Sequence, residues 1–294
     1  MGEVLVLGAV AGGIYALFAV STVLVYRGSG VLNFAQGEVG TLGLFLAVWL
    51  IVDHGLPWIV GALAAILLTT AIGVVFERFV VRRMGDAARV SVAVATVGLL
   101  LFVLSSELVR VGASPKSIPG PFSGTGWRVA GVVVSPTQVL SLVVALGVGV
   151  LLATLLRRTD FGLGVLAAAQ DPSAARLVGV PVNRVSAFVW GAGAGLTALG
   201  CLLVAPGLGA FAPGALGRLF LFGLAAAIVG GLTSLPGAFV GGLVVGLVEA
   251  SAGRIFADAS LPGVKTLAVF VLLLVTLLLR PHGLFGTRES RHAQ

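Results

Sequence analysis

The chain has 294 residues, of which 58% are hydrophobic and only 10% charged, and its mean hydropathy is +1.14. Soluble domains carry about 25% charged residues, so this composition excludes a water-soluble globule and implies an integral membrane protein. A net charge of +7 with a pI near 11.0 would point to nucleic acid in a soluble chain, but here the surplus cations sit in loops beside apolar runs, where they signal topology and exclude a nucleic-acid partner.

The first apolar run, residues 4–25, ends at Tyr26-Arg27-Gly28. At about 1.5 Å per residue it crosses a hydrocarbon core of about 30 Å. With no basic region ahead of it and no cleavage pattern, it reads as a retained span. A second run, 31–52, turns at 53–57. A third, 58–76, closes in Glu77-Arg78 and a basic loop holding Arg82, Arg83 and Arg89. The fourth run, 90–109, leads to a Gly/Pro/Ser-rich external loop, 111–135, and the fifth, 136–156, delivers the chain to a polar island over 157–186.

That island must sit in water. Arg157, Arg158, Arg176 and Arg184 against Asp160 and Asp171 place it on the cytoplasmic side. Residues 162–170 fit a short helix, Asp171-Pro172 opens a second with Asp171 as its cap, and Gly179 with Pro181 stops it. A plain connector needs only a few residues, so about thirty ordered-looking ones favour a docking surface.

The sixth run, 187–205, is followed by a Pro/Gly turn over 206–217. The seventh, 219–232, and eighth, 238–251, are barely long enough to span and read equally as re-entrant or broken helices; the ninth, 264–279, ends at Arg280-Pro281. The expectation is an all-α polytopic bundle of eight to nine transmembrane segments, one domain over 1–294, with the N-terminus outside and the C-terminus cytoplasmic. In that orientation the inside loops hold 12 of the 18 Lys and Arg (27, 78, 82, 83, 89, 157, 158, 176, 184, 280, 288, 291) and the outside ones 6. Glycines cluster at Gly191-Ala-Gly-Ala-Gly195, Gly230-Gly231, Gly237, Gly241-Gly242 and Gly246, spacings that let helices approach closely in lipid.

No residue set is placed for catalysis. His54, His282 and His292 lack ligand spacing, and Lys116 and Lys265 follow Pro115 and Val264 rather than the glycine of a phosphate-binding loop. The single cysteine, Cys201, lies in an apolar run, so no intramolecular disulfide forms and it reads as small core filler. ATP, if it drives this protein, binds a separate polypeptide that docks on the 157–186 island; no cofactor is expected on this chain. Polar residues at membrane depth are few: Asn33, Gln36, Glu38 and Thr41 at the start of the second run, Thr96, Glu107 near an outer end, and Glu249. Such groups usually face a bundle interior or an aqueous path. Glu38 is read within about 10 Å of the cytoplasmic end, where capping and pathway roles compete, and the second helix is expected to begin near Val31, with its free N–H groups either satisfied by Asn33 and Glu38 or helping to guide a carboxylate during release. For Glu249, an interhelical hydrogen bond, a place near the outer interface and contact with solute stand open.

Gly13-Ile-Tyr-Ala-Leu17 followed by Tyr26-Arg-Gly-Ser-Gly-Val-Leu-Asn-Phe-Ala-Gln-Gly-Glu38 resembles the opening of LivH-type branched-chain amino acid ABC transporter permeases. Further blocks agree in order: Phe76-Glu-Arg78; Thr159-Asp-Phe-Gly162 through Ala168-Ala-Gln-Asp171, Ala174-Ala175 and Gly179-Val180; Val229-Gly-Gly231 through Ser234-Leu-Pro-Gly237 to Gly241-Gly242 and Glu249; and Arg280-Pro-His-Gly-Leu-Phe-Gly286. Gln36 stands where many relatives carry His.

The resemblance implies a multi-pass permease of the bacterial inner membrane. Its partners would be a LivM-like second permease, two cytoplasmic ABC ATPases and an extracytoplasmic solute-binding protein. It implies a coupling region holding Gly162, Ala168, Gln170, Asp171, Ala174 and Gly179. Asn33, Phe34, Gln36, Glu38, Thr41, Thr96 and Glu249 are the candidate pathway residues. Similar permeases also handle urea, short amides and other small polar solutes. A self-sufficient secondary transporter would place several charges near the midplane, for which Glu249 alone is thin support.

Overall fold

The computed structural model describes residues 2–85, 89–122, 126–129, 131–256 and 263–286. Arg288 and Arg291, counted above among the inside cations, and His292 lie outside the described residues. The helices run in the order α1 (Gly2–Ser29), α2 (Gln36–Val48, continued by a π-helical turn, Trp49–Asp53), α3 (Trp58–Phe76, continued by a second π turn, Glu77–Val81) and α4 (Arg82–Met84). Then come α5 (Arg89–Val111), the strands β1 (Trp127–Val129) and β2 (Val132–Val134), α6 (Pro136–Arg158), α7 (Asp160–Gln170), α8 (Pro172–Leu177), α9 (Val182–Leu208), α10 (Gly217–Gly230), α11 (Leu235–Ile255) and α12 (Val264–Leu279).

Among the described residues seven helical stretches are long and apolar enough to cross a membrane, and α10 and α12 are shorter apolar helices. Two thirds of the most apolar window is buried in α1, α2 and α9, but only 22% in α5 and α6, so the first three form the core and the others its outer shell. The α1/α11 seam is closest. A Cβ on Gly242 would lie 2.5 Å from Ala16 Cα, and one on Gly246 would lie 2.4 Å from both Gly12 N and Gly8 O, so the two backbones touch where only hydrogen fits.

Several boundaries differ from the sequence expectation, each for a local reason. The second helix starts at Gln36, not near Val31, because Gly30 takes a left-handed φ of 69° and 31–35 stay non-helical. The third helix does not stop at Glu77-Arg78. Glu77 is 1% exposed and its carboxylate pairs with Arg82 at 2.7 Å, which keeps the turn beyond Phe76 folded through Met84. The sixth run starts at Val182 and continues through Pro206 to Leu208, so Arg184 is helical and the 206–217 turn is shorter than expected. The eighth run is 21 residues because Ser234 caps it, accepting from Gly237 N at 3.1 Å, with Pro236 in its first turn. Within the 111–135 loop, β1 and β2 form an antiparallel hairpin with Trp127 opposite Val134, an element not foreseen.

The two ends of the bundle differ. At one, Arg27 lies within electrostatic reach of Arg157, and Arg82 Nη2 donates to Asn183 O at 2.9 Å, so the ends of α1, α4 and α6 and the start of α9 gather with α7 and α8. At the other, Arg254 pairs with Glu3 at 2.5 Å and Lys116 exchanges backbone hydrogen bonds with Phe211 at 2.8 and 2.9 Å. Arg82→Ala should cost about 1–3 kcal/mol, less than a fully buried pair because the arginine is 32% exposed, and detergent-phase melting would show the drop.

Candidate functional site

The 30–35 stretch runs from the end of α1 back into the protein, and α2 starts there. Asn33 is 9% exposed and its Oδ1 accepts from Ala35 N at 3.0 Å, a side-chain turn within the non-helical stretch rather than a cap on α2, whose N-cap position is Ala35. Phe34 is 39% exposed, and its N donates to Thr96 Oγ1 at 3.1 Å, which ties the stretch to α5. Gln36 is fully buried; its Nε2 donates to Ser21 Oγ, which contacts Thr197 Oγ1 at 2.9 Å and Gly193 O at 3.3 Å. This polar network binds α1, α2 and α9 at one level.

Glu38 lies deeper than the sequence placed it. Ser21, which Gln36 touches, is eight residues from the end of α1, about 12 Å by helix rise, and Glu38 sits further along α2. A Cβ on Gly217, at the start of α10, would be 3.5 Å from Glu38 Oε1. Glu38 is 7% exposed with Oε2 unpartnered, and Glu107 is buried with both carboxylate oxygens unpartnered among the described residues. The two carboxylates are near enough to act on one another and on the buried Cys201, which lies beside Thr41. Thr41 also donates to Gly37 O at 3.1 Å. Asn33, Phe34, Gln36, Glu38, Thr41 and Thr96 are thus brought together with Glu107, a residue the sequence placed near an outer end without joining it to them.

Glu249 is not part of this group. It is reached by Tyr15 Oη, which donates to Oε2 at 2.6 Å, so the interhelical hydrogen bond is present. Tyr15 packs edge-on against Phe222. Glu249 also lines a cleft of about 860 Å3 at the Glu3–Arg254 end, between α1, α6, α9, α11 and α12, where Glu3, Arg254 and Lys265 contribute charge and Gln138 and Ser141 polar groups. Tyr15→Phe leaves the Glu249 carboxylate without this donor and should cost about 1.5–3 kcal/mol, measured as a lower melting temperature.

The 157–186 island holds the two short helices expected. Thr159 caps α7, accepting from Gly162 N at 3.1 Å, and Asp171 caps α8, accepting from Ser173 N at 2.8 Å and Ala174 N at 3.0 Å. The candidate coupling residues divide between two faces. Gly162 and Ala168 are buried against the chain itself: a Cβ on Gly162 would lie 2.4 Å from Leu156 Cα, and Ala168 joins the core with Leu24, Val25 and Val185. Gln170, Asp171, Ala174 and Gly179 are exposed. Beside them Leu177 and Val178 are 89% and 78% exposed, an apolar tip that the sequence hid because it reads as an ordinary helix end.

Residues 4–279 match the profile of the family described as branched-chain amino acid transport system / permease component. The chain is 33% identical to the high-affinity branched-chain amino acid transport system permease protein BraD of Pseudomonas aeruginosa, over 97% of this chain and 95% of that one. It is 28% identical to the permease protein LivH of Escherichia coli K12, over 96% and 94%. Among solved structures, PsaBC from Streptococcus pneumoniae in complex with Fab has a similar fold, with a TM-score of 0.52 at 14% identity, covering 96% of this chain and 92% of that one.

Proposed function

Because the chain belongs to the branched-chain amino acid transport permease family, we propose that it is the membrane subunit of an importer that moves branched-chain or similarly small amino acids into the cell. ATP hydrolysis on two separate cytoplasmic ATPases drives it. A LivM-like second permease completes the path, and an extracytoplasmic solute-binding protein delivers the solute at the cleft-bearing end. The membrane is the bacterial inner membrane, with the basic end of the bundle and the α7–α8 island on the cytoplasmic side. The observation that carries this reading is the pairing of two features in one chain. Buried polar residues, Gln36, Glu38 and Glu107, lie where α2 and α10 begin inside the bundle, where a path needs them, and an apolar tip projects from the basic end, where a motor would bind.

Uptake tests the reading. Vesicles holding the permease pair and ATPases, given loaded solute-binding protein outside and ATP inside, should accumulate leucine; accumulation without ATP would favour a secondary transporter instead. Orientation is tested separately. Ser173 and Ser117 are both exposed and Cys201 is fully buried, so in a Cys201-free background Ser117→Cys should react with an impermeant thiol reagent in intact cells while Ser173→Cys stays protected. Labelling of Ser173→Cys from outside would invert the assignment.

A further inference from the structure

The start of α10 lies inside the bundle. Gly223 packs against Phe18, near the midpoint of the 28-residue α1, and Gly217 is six residues earlier, about 9 Å along the axis. Gly37 packs against Phe220, so the first turns of α2 and α10 meet, and the Glu38 carboxylate points at Gly217. Three N–H groups of the opening turn of α10 are already taken, Leu219 N and Phe220 N by Leu216 O at 3.0 and 3.2 Å and Gly217 N by Gly214 O at 3.3 Å, so what the turn offers an anion is its positive dipole end. Arg218, the next residue, is exposed and has no ion-pair partner among the described residues. A cation at this depth in a membrane helix does not face lipid; it faces an aqueous path or a neighbouring subunit.

One joint therefore presents two opposite recognition sets, separated only by a glycine. On one side are Arg218 and the positive dipole end of α10, which suit an anion. On the other are Glu38, 93% removed from solvent by its 7% exposure with an oxygen unpartnered, and Glu107 behind it with both oxygens unpartnered. Buried carboxylate oxygens without donors are rare in folded proteins, and a ligand's N–H groups would supply the donors.

We propose that this joint holds the charged ends of a zwitterionic solute during translocation: Arg218, at the positive end of α10, receives the α-carboxylate, and Glu38, backed by Glu107, receives the α-ammonium. The inference rests on the transport reading above and names the residues and the solute class for it. Both charges of the amino acid are met at one point, so neither crosses the bundle uncompensated.

The test uses the complete complex in vesicles, with leucine as probe and uptake normalised to folded complex. Arg218→Gln and Glu38→Gln should each lower leucine uptake about tenfold, the loss expected for a charged hydrogen bond, while ATP hydrolysis stimulated by the loaded solute-binding protein continues. Arg218→Lys, which keeps the charge, should retain most uptake. Arg218 is exposed, so its variants keep the fold; should Glu38→Gln lower folded yield, the Gln and Lys variants of Arg218 decide alone. Normal uptake in Arg218→Gln, or equal loss in its Gln and Lys variants, overturns the site while leaving the transport reading intact. Absence of ATP-driven leucine uptake by the unaltered complex overturns the transport reading, and the site with it.

Discussion

Gly246→Val should yield no folded permease. A Cβ at this position would sit 2.4 Å from Gly12 N and 2.4 Å from Gly8 O, and both are backbone atoms of α1 that cannot rotate away as a side chain can. Relief requires α1 and α11 to move apart along a seam also set by Gly242 against Ala16 and by Gly12 against Leu243. Overpacking a core commonly costs 1–3 kcal/mol; separating two helices along several turns should exceed about 4 kcal/mol, a large share of the 5–15 kcal/mol that holds a typical domain together. Gly98→Ala and Gly147→Ala are the matched controls, since nothing lies within 4 Å of either position. Both should fold, and a gain of about 0.5–1 kcal/mol from helix propensity is expected. Size-exclusion of the solubilised protein reads the contrast directly. A monodisperse peak from Gly246→Val would show that the seam opens cheaply.

The same seam shows how far the sequence alone could be read. The glycines of α11 at 237, 241, 242 and 246 announce close helix packing through composition, but nothing local says that 242 and 246 meet α1, more than two hundred residues away, while 237 and 241 meet α10. Caps were legible because their chemistry is confined to a few residues: Asp171-Pro172 opens α8 as expected, and its carboxylate accepts from Ser173 and Ala174. Depth was not legible. Gly217 and Arg218 follow a Pro/Gly-rich turn and so read as outside, yet the chain from Leu208 folds back in and α10 begins beside Glu38. Glu107 was likewise judged by its distance from one helix end, whereas its meaning comes from α2 packing against α5. The short hairpin was masked by the Gly/Pro/Ser composition around it, although Trp127 to Val129 and Val132 to Val134 flank a turn at Gly131, whose φ is 88°. Tyr15 and Glu249 are 234 residues apart, so their hydrogen bond could be left open as an alternative but not assigned.

Leu177→Asp together with Val178→Asp should abolish uptake while leaving the permease folded. The α7–α8 island is bolted to the bundle by its small inner face, where Gly162, Gly164, Val165 and Ala168 are buried, so enlarging Ala168 would damage the permease itself and say nothing about a partner. Leu177 and Val178 are on the other side, exposed at the end of a capped helix that Gly179 closes at a φ of 86°, and two fully presented aliphatic side chains at the basic end have no role in the fold of this chain. Apolar anchors of this kind seat in a pocket on a partner and dominate its affinity, with hot-spot losses of about 2–4 kcal/mol on truncation. A buried aspartate without a partner adds a desolvation penalty to that loss. ATPase co-purification should therefore fall at least about thirtyfold, since 2 kcal/mol is already close to that factor, and uptake should fall with it. The melting temperature of the permease alone should not change, because neither side chain is packed in it. Unchanged co-purification and uptake would move the motor contact elsewhere on the island, to Gln170, Asp171 and Ala174; a lowered melting temperature would mean that the tip serves the permease fold after all.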